Sequence, residues 1–532
     1  MQATVLHTNG HGYGITGVSI TFRPERVTGI VERSVHPARQ LDALAVAVFA
    51  IAVSAAGAAR PSLWFDEAAT ISAATRSVGE LWRLVGNIDA VHGLYYLAMH
   101  GWFALFPATE FWSRLSSSLA VGLAAAGVVV LGRQLSTRSV AVTAGVVFAL
   151  LPRVTWAGIE TRSYALCMVA GVWLTVLCIN AIRRDRLSWW AGYAALVAVG
   201  ALLNVFVVLI LPVHAVLVAV FCDARGARIR WAVAALVAAA AVAPFLAFSQ
   251  TQLFQVGWIS GVGWQTVGKI LREQYFDHSL TFAILSALTL TAGMLCRSRA
   301  VAVAGEQPRR LVITAISWIV LPTAALLIYS VVRHPVYYPR YLSFTAPALA
   351  LLLGLCIVVV GRSRAAITAL LLAFAFAATP NYLAQRGPYA KEGMDYSQVA
   401  DVITRHANPG DCLVMDNSTA WKPGPIRPLI AARPAAFAKL HDYGRGLPAV
   451  ARNRLWDSHL AVWTWADKMP GCPAIWTVTE RDPTLPDHEQ GIALKPGPRL
   501  GRAMAYQVPS RFGFHVVERW QFSFAQVTKS TR

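Results

Sequence analysis

Charge is scarce in this chain of 532 residues. Only 14% of it is Asp, Glu, Lys or Arg and 56% is hydrophobic, where an average soluble domain carries about a quarter charged residues. That shortage excludes an ordinary soluble protein and points to the membrane class. Carboxylates are scarcest, 27 against 47 Lys and Arg, which leaves a formal charge of +20. A balance this basic could signal nucleic acid, but the arginines fall in short clusters between apolar runs, not along one face or in a tail. Polytopic membrane proteins distribute positive charge in this way, so nucleic acid is not expected as a partner. The seven cysteines include no CxxC and no metal-type spacing with His, which argues against a zinc site or a redox pair. No GxGxxG follows a strand and no GxxxxGK[ST] occurs, so a soluble nucleotide donor is disfavoured. No small-residue cleavage site follows a short apolar core either. The basic segment "FRPERVTGIVERSVHPARQ" therefore reads as part of a cytoplasmic tail, residues 1–40, ahead of a retained first helix.

What is present is a series of long apolar runs. A membrane-crossing helix needs roughly 17 to 25 largely apolar residues. The candidates are 41–59, 115–132, 139–156, 164–182, 188–203, 205–221, 231–248, 279–295, 311–331, 342–360 and 365–382, with the run 188–221 divided at Asn204. The stretch "GLYYLAMHGWFALF", 93–106, is too short and too rich in Trp and Tyr, and reads as an interfacial helix. Charge supports that choice. With 93–106 on the surface, "GRQLSTRS", "RRDR", "CDARGARIR", "CRSRAVAVAGEQPRR" and "GRSR" all share a side with the basic N-terminus, as the positive-inside rule requires. Counting 93–106 as a span would put all of them outside.

The expected architecture is a polytopic α-helical membrane protein with about 11 transmembrane helices over 41–382 and an interfacial helix in a first outer loop, 60–114. A C-terminal extracytoplasmic α/β domain, 383–532, follows. There "DYSQVADVITRHANPGDCLVMDN" reads as helix, Pro-Gly turn and buried strand, and "CPAIWTVTE" as a second strand. Cys412 and Cys472, beside those strands, stand in an oxidising compartment in this topology; a disulfide and two unpaired buried thiols both stay open.

The outer loops gather the chemistry. "RPSLWFDEAATISAATRS" sets Asp66 and Glu67 behind Trp64 and Phe65, and the same loop holds Arg76, Asp89 and His92. The second outer loop offers Glu160, Arg162 and Tyr164. Residues 249–278 bring Trp258, Trp264, Lys269, Arg272, Glu273, Tyr275, Asp277 and His278. "RHPVYYPRY" adds Arg333, His334, Tyr337, Tyr338, Arg340 and Tyr341. Moving a sugar off a lipid phosphate needs a base for the acceptor hydroxyl, which a carboxylate supplies. It also needs cations where charge grows on the leaving phosphate, which Arg supplies. Arg162 and Arg340 lie outside against the positive-inside trend, which marks them out.

The motifs "LWFDEAAT", "HGLYYLAMHGWFALF", "FWSRLSSSLAVGL", "ETRSYAL" and "YPRYLSFTAPALALLLG" stand in the order seen in GT-C membrane glycosyltransferases. The chain resembles most closely the protein O-mannosyltransferases and lipid A aminoarabinose transferases, over about residues 41–382. The resemblance implies a polyprenyl-phosphate-sugar donor, inversion at the anomeric carbon and extracytoplasmic catalysis on a glycan, glycolipid or protein acceptor. By position it implies Asp66 as general base with Glu67 beside it. Arg162 and Tyr164 would be donor-phosphate or loop-positioning contacts, with Glu160 just before them and Arg340 and Tyr341 ahead of a late helix. Many relatives read His-Pro-Pro where this chain has His92-Gly93-Leu94, which puts His92's role in doubt. Relatives differ in metal use, so no metal or other cofactor is assigned and a divalent ion stays open. An Ala-, Val- and Arg-rich composition with little Lys suggests a high-GC bacterium, and with the resemblance it brings mycobacterial lipoglycan mannosyltransferases to mind. The expected sugar is mannose and the most concrete acceptor lipoarabinomannan. The alternatives are an arabinosyltransferase of the same fold and a flippase for polyprenyl-linked sugars.

Overall fold

A computed structural model describes residues 37–296, 308–416, 426–497 and 501–532. The expected tail lies outside the described residues over 1–36, as does most of the arginine-rich loop between 296 and 310. Each of the eleven apolar runs contains a helix. Six are long and apolar enough to cross a membrane: Glu110–Leu135, Tyr164–Arg184, Arg225–Gln250, Arg309–Val332, Pro339–Gly361 and Arg364–Ala384. Five others, Leu41–Ala55, Arg138–Leu150, Leu187–Leu203, Val205–Phe221 and Leu280–Leu295, are apolar but shorter. The chain is a multi-pass membrane protein with a small α/β domain at its C-terminal end.

Local chemistry explains where the helices break. The run 139–156 is two helices, because Pro152 opens a new one, Pro152–Ala157, directly after Leu151. At the division expected from sequence, Asn204 leaves helical geometry and its side chain accepts a hydrogen bond from the Phe206 amide. Small residues let the central helices touch. A Cβ on Gly132 would lie 2.8 Å from the Ala141 backbone, and one on Gly354 would lie 2.7 Å from that of Ala144.

Between the first helix and Glu110 lie three α-helices, Phe65–Ala74, Val78–Val85 and Gly93–Leu105, and a 3-10 turn, Ala90–His92. The last α-helix, 13 residues long, is the stretch assigned to the interface; it buries Tyr95, Tyr96 and Met99.

The C-terminal domain is a five-stranded sheet. Strands β1 (Cys412–Met415), β2 (Ile475–Glu480), β3 (His488–Leu494), β4 (His515–Gln521) and β5 (Ala525–Thr531) lie in the order β1-β2-β5-β4-β3. Of the neighbouring strands among the described residues, β1 and β2 run parallel and the other pairs antiparallel. Cys412 and Cys472 are joined as a disulfide across the start of that parallel pair, closing a 60-residue loop.

This domain grips the loop that carries Asp66. The Leu63 amide donates to Ser397 Oγ at 2.9 Å and the Ser397 amide donates to Ser62 Oγ at 3.0 Å. Ser72 donates to the Leu455 carbonyl at 2.6 Å, Arg76 to that of Arg454 at 2.5 Å, and Phe65 lies 5.4 Å from Trp456 between ring centres.

Candidate active site

Residues 61–64 are buried, Trp64 is extended, and a helix starts at Phe65 immediately after it. Asp66 and Glu67 thus occupy its first turn, where the helix dipole favours negative charge. Neighbours on a helix point about 100° apart, so the two carboxylates meet different surroundings.

Glu67 is fully buried against Arg114 of the Glu110–Leu135 helix, at 2.8 Å from Nε and 2.6 Å from Nη2. It also accepts from the amide and hydroxyl of Thr161, both at 3.1 Å. Arg114 spends its other donors on the carbonyls of Ala58, Pro61 and Ser62 at 2.7, 2.8 and 2.9 Å. All five guanidinium N–H groups are therefore used. The pair fastens the turn before the helix to the bundle and leaves Glu67 no free face.

Asp66 sits between two arginines from distant loops: Arg162 Nη2 at 3.0 Å and Arg340 Nη2 at 3.3 Å. Its side chain keeps 14% of its surface exposed. Burial pushes the Asp66 pKa up, but Arg162 and Arg340 outweigh it and hold the carboxyl below its ordinary range. Both arginines have capacity left, for the buried Nε of each has no hydrogen-bond partner. Arg162 also donates to Tyr96 Oη at 2.9 Å, and Tyr96 donates to Asp89 at 2.7 Å. Arg340 lies over the rings of Trp64 and Tyr338 at 5.3 and 4.7 Å.

Glu160 is buried behind this group. Its Oε1 accepts from Trp64 Nε1 at 2.6 Å and its Oε2 from Lys391 Nζ at 2.5 Å. Burial, only partly offset by Lys391, raises the Glu160 pKa to about 7. His92 stands ahead of the Gly93–Leu105 helix with a buried, unpartnered Nδ1. Burial first, then Arg162, lowers its pKa to about 4, so it is neutral at pH 7. Tyr164 is buried with its ring 5.5 Å from Trp156, and Tyr341 stacks on Phe206 at 4.9 Å.

Not every outer aromatic joins the site. Trp258 meets Tyr338 at 5.0 Å, whereas Trp264 is 93% exposed. Asp277 is paired with Arg153 at 3.0 Å. Sequence reasoning misses Arg114, Tyr96 and Lys391. The rule that singles out Arg162 and Arg340, a cation in a loop expected on the outer side, also applies to Arg114 and Lys391.

The carboxylates of this cluster are taken up by cations. Asp66, Glu67 and Glu160 are each already neutralised by a cation, and among the described residues no three His, Cys, Asp or Glu side chains converge.

No family model and no curated protein matches the sequence. Solved structures do match. ArnT from Cupriavidus metallidurans bound to undecaprenyl phosphate aligns with a TM-score of 0.53 at 15% identity, covering 92% of this chain and 97% of that one. Its apo form gives the same TM-score at 14% identity. An oligosaccharyltransferase from Archaeoglobus fulgidus aligns at 0.46, 14% identity, over 82% of this chain and 69% of that one. ArnT is an aminoarabinose transferase of the GT-C fold, and this chain shares that fold along nearly its whole length.

Proposed function

We propose that this protein is a membrane glycosyltransferase that moves a sugar from a polyprenyl-phosphate donor to an acceptor hydroxyl. The observation that carries the reading is Asp66 held between Arg162 and Arg340, each with an unspent buried N–H, at one end of a GT-C bundle. A fold alone hosts many chemistries, so the residues must supply the argument. That the ArnT structure contains undecaprenyl phosphate agrees with it.

In this reading the donor phosphate enters between the two arginines and takes over the charge that Asp66 neutralises. Release from both cations raises the basicity of Asp66, which suits a general base. The acceptor oxygen attacks the anomeric carbon, its proton passes to Asp66, and the bond from that carbon to the phosphate oxygen breaks. The polyprenyl phosphate leaves with the electron pair, its charge held by Arg162 and Arg340. One displacement gives inversion. Glu67 supports the helix from behind and takes no part in proton transfer. Tyr164, Tyr341 and neutral His92 stand near enough to Asp66 and the two arginines to feel their charge.

The finer reading keeps mannose as the sugar and a cell-envelope glycan such as lipoarabinomannan as the acceptor. This reading keeps the N-terminus in the cytoplasm and the Asp66 end with residues 383–532 on the extracytoplasmic side; among the described residues Arg133, Arg138 and Arg230 pair at the opposite end, which agrees with the positive-inside rule. Reconstitution in liposomes with labelled polyprenyl-phosphate mannose, arabinose and aminoarabinose tests all of this together. Transfer from one donor to an envelope glycan is expected. Movement of the labelled lipid across the bilayer without transfer would instead establish a flippase.

A further inference from the structure

The described residues contain a buried ion pair that the displacement itself does not use: Glu160 with Lys391. Lys391 follows the last long apolar helix and precedes the α/β domain, and its side chain is only 2% exposed. Burying an ammonium and a carboxylate is costly, and losing either one leaves the other uncompensated. Here each carboxylate oxygen has its own partner. Oε2 takes Lys391, while Oε1 takes the indole N–H of Trp64. Trp64 is the residue from which the Asp66 helix starts, and its ring lies beneath the Arg340 guanidinium.

We propose that Lys391 is a positioning residue, acting through Glu160 and Trp64 to hold Asp66 and Arg340 in the geometry that receives a lipid phosphate. The proposal rests on the glycosyltransferase reading for the identity of that ligand, but not for the mechanical link. The segment between membrane and α/β domain thereby gains a role, since the end of the bundle is completed by a cation that arrives only after the last span. The hydrogen bonds of Ser397 to the 62–63 stretch fix the same turn from the next residues along the chain.

Ionisation of Glu160 is part of the device. The groups that act on it are Lys391, which favours the carboxylate, and Glu67 and Asp66, which oppose it. Arg114 and Tyr95 also feel its charge. Removing Lys391 removes the main cation and shifts Glu160 towards its protonated form at neutral pH.

The test uses the full-length protein in detergent, comparing wild type, Lys391→Met and Lys391→Arg. Hydrogen exchange reads the mechanical link without any substrate. In Lys391→Met, faster exchange is expected across 62–76 while the β2 and β5 amides keep their protection, and Lys391→Arg should restore most of it. Undecaprenyl phosphate serves as the binding probe. Its affinity should fall by about 10- to 100-fold, by analogy with the loss of a partner that orients a metal ligand. The dependence on pH should also move upward. Exchange changes confined to 388–395, or an unchanged pH profile in a folded variant, would overturn the proposal. Failure of the wild type to bind the probe would count against the transferase reading, and the exchange data would still decide the link.

Discussion

The two ends of the helix bundle use the same pair chemistry under opposite conditions. At the Asp66 end, Arg114 and Glu67 are fully buried, and Lys391 with Glu160 nearly so. At the other end, Asp42 pairs with Arg133 and Arg138, and Asp185 with Arg230. There Arg138 is 71% and Arg230 45% exposed, although Asp42 and Arg133 keep only 15% and 18% of their side chains exposed. Exposed pairs contribute little, because water and salt screen them. Buried pairs fix geometry and punish the loss of one partner. Ion pairs thus decorate one end of this molecule and shape the other.

The largest expected effect falls on the buried end. Arg114→Met leaves Glu67 buried without its cation and should destabilise the fold by about 3–5 kcal/mol. Thermal unfolding in detergent reads this, and adding Glu67→Leu should recover only the part due to the unpaired carboxylate, because the carbonyls of Ala58, Pro61 and Ser62 and the Thr161 donors stay unpartnered. Equal stability of the single variant would erase the contrast between the ends.

Next comes ligand capture. Arg340→Lys keeps the charge but loses the planar fork, with its spare Nε donor, and its stacking over Trp64 and Tyr338. Losing one charged hydrogen bond costs about 1.5–3 kcal/mol. KM for the lipid donor should therefore rise by roughly 10- to 100-fold, with thermal stability little changed.

A smaller effect separates Glu160 from its neighbours. Its folded pKa of about 7 lies above the ordinary 4.5, so the folded state holds a proton that the unfolded chain has released between those values. Stability should fall as pH rises through that window and level off above it. Asp66 and Glu67 are shifted down instead, so their contribution is complete above the ordinary carboxylate range and is lost only in stronger acid. Glu160→Gln should flatten the slope between pH 4.5 and 7 and leave the acid limb in place.

The smallest effect belongs to the far end. Arg138→Ala removes an exposed partner of Asp42, which keeps Arg133, and the melting temperature should not move measurably.

Hydropathy makes the membrane architecture readable, because a run of apolar residues is a local property. All eleven runs hold helices, and the short aromatic stretch at 93–106 is a separate 13-residue helix. Strands β1 and β2 are readable for the same reason. Strands β3 to β5 carry mixed sequences such as "HVVERWQ" and gain their identity from pairing. The disulfide depends on a separation that no local pattern encodes. The loops bring forward Asp66, Arg162 and Arg340 as residue types suited to one chemistry, and folding places both arginines within 3.3 Å of the Asp66 carboxylate. The division of labour between Asp66 and Glu67 is not visible in the sequence, since it depends on what each side of one helical turn meets. Lys391 is hidden by distance: 231 residues separate it from Glu160.

Asp66 is the centre of the proposed chemistry. The most direct test compares wild type with Asp66→Asn in single-turnover transfer from labelled polyprenyl-phosphate sugar, alongside binding of undecaprenyl phosphate. Loss of a positioned base should lower turnover by about 10²- to 10⁴-fold while lipid binding holds or tightens, because the arginines lose their competitor. Near-normal turnover by a folded Asp66→Asn protein would contradict the assignment of Asp66 as the base.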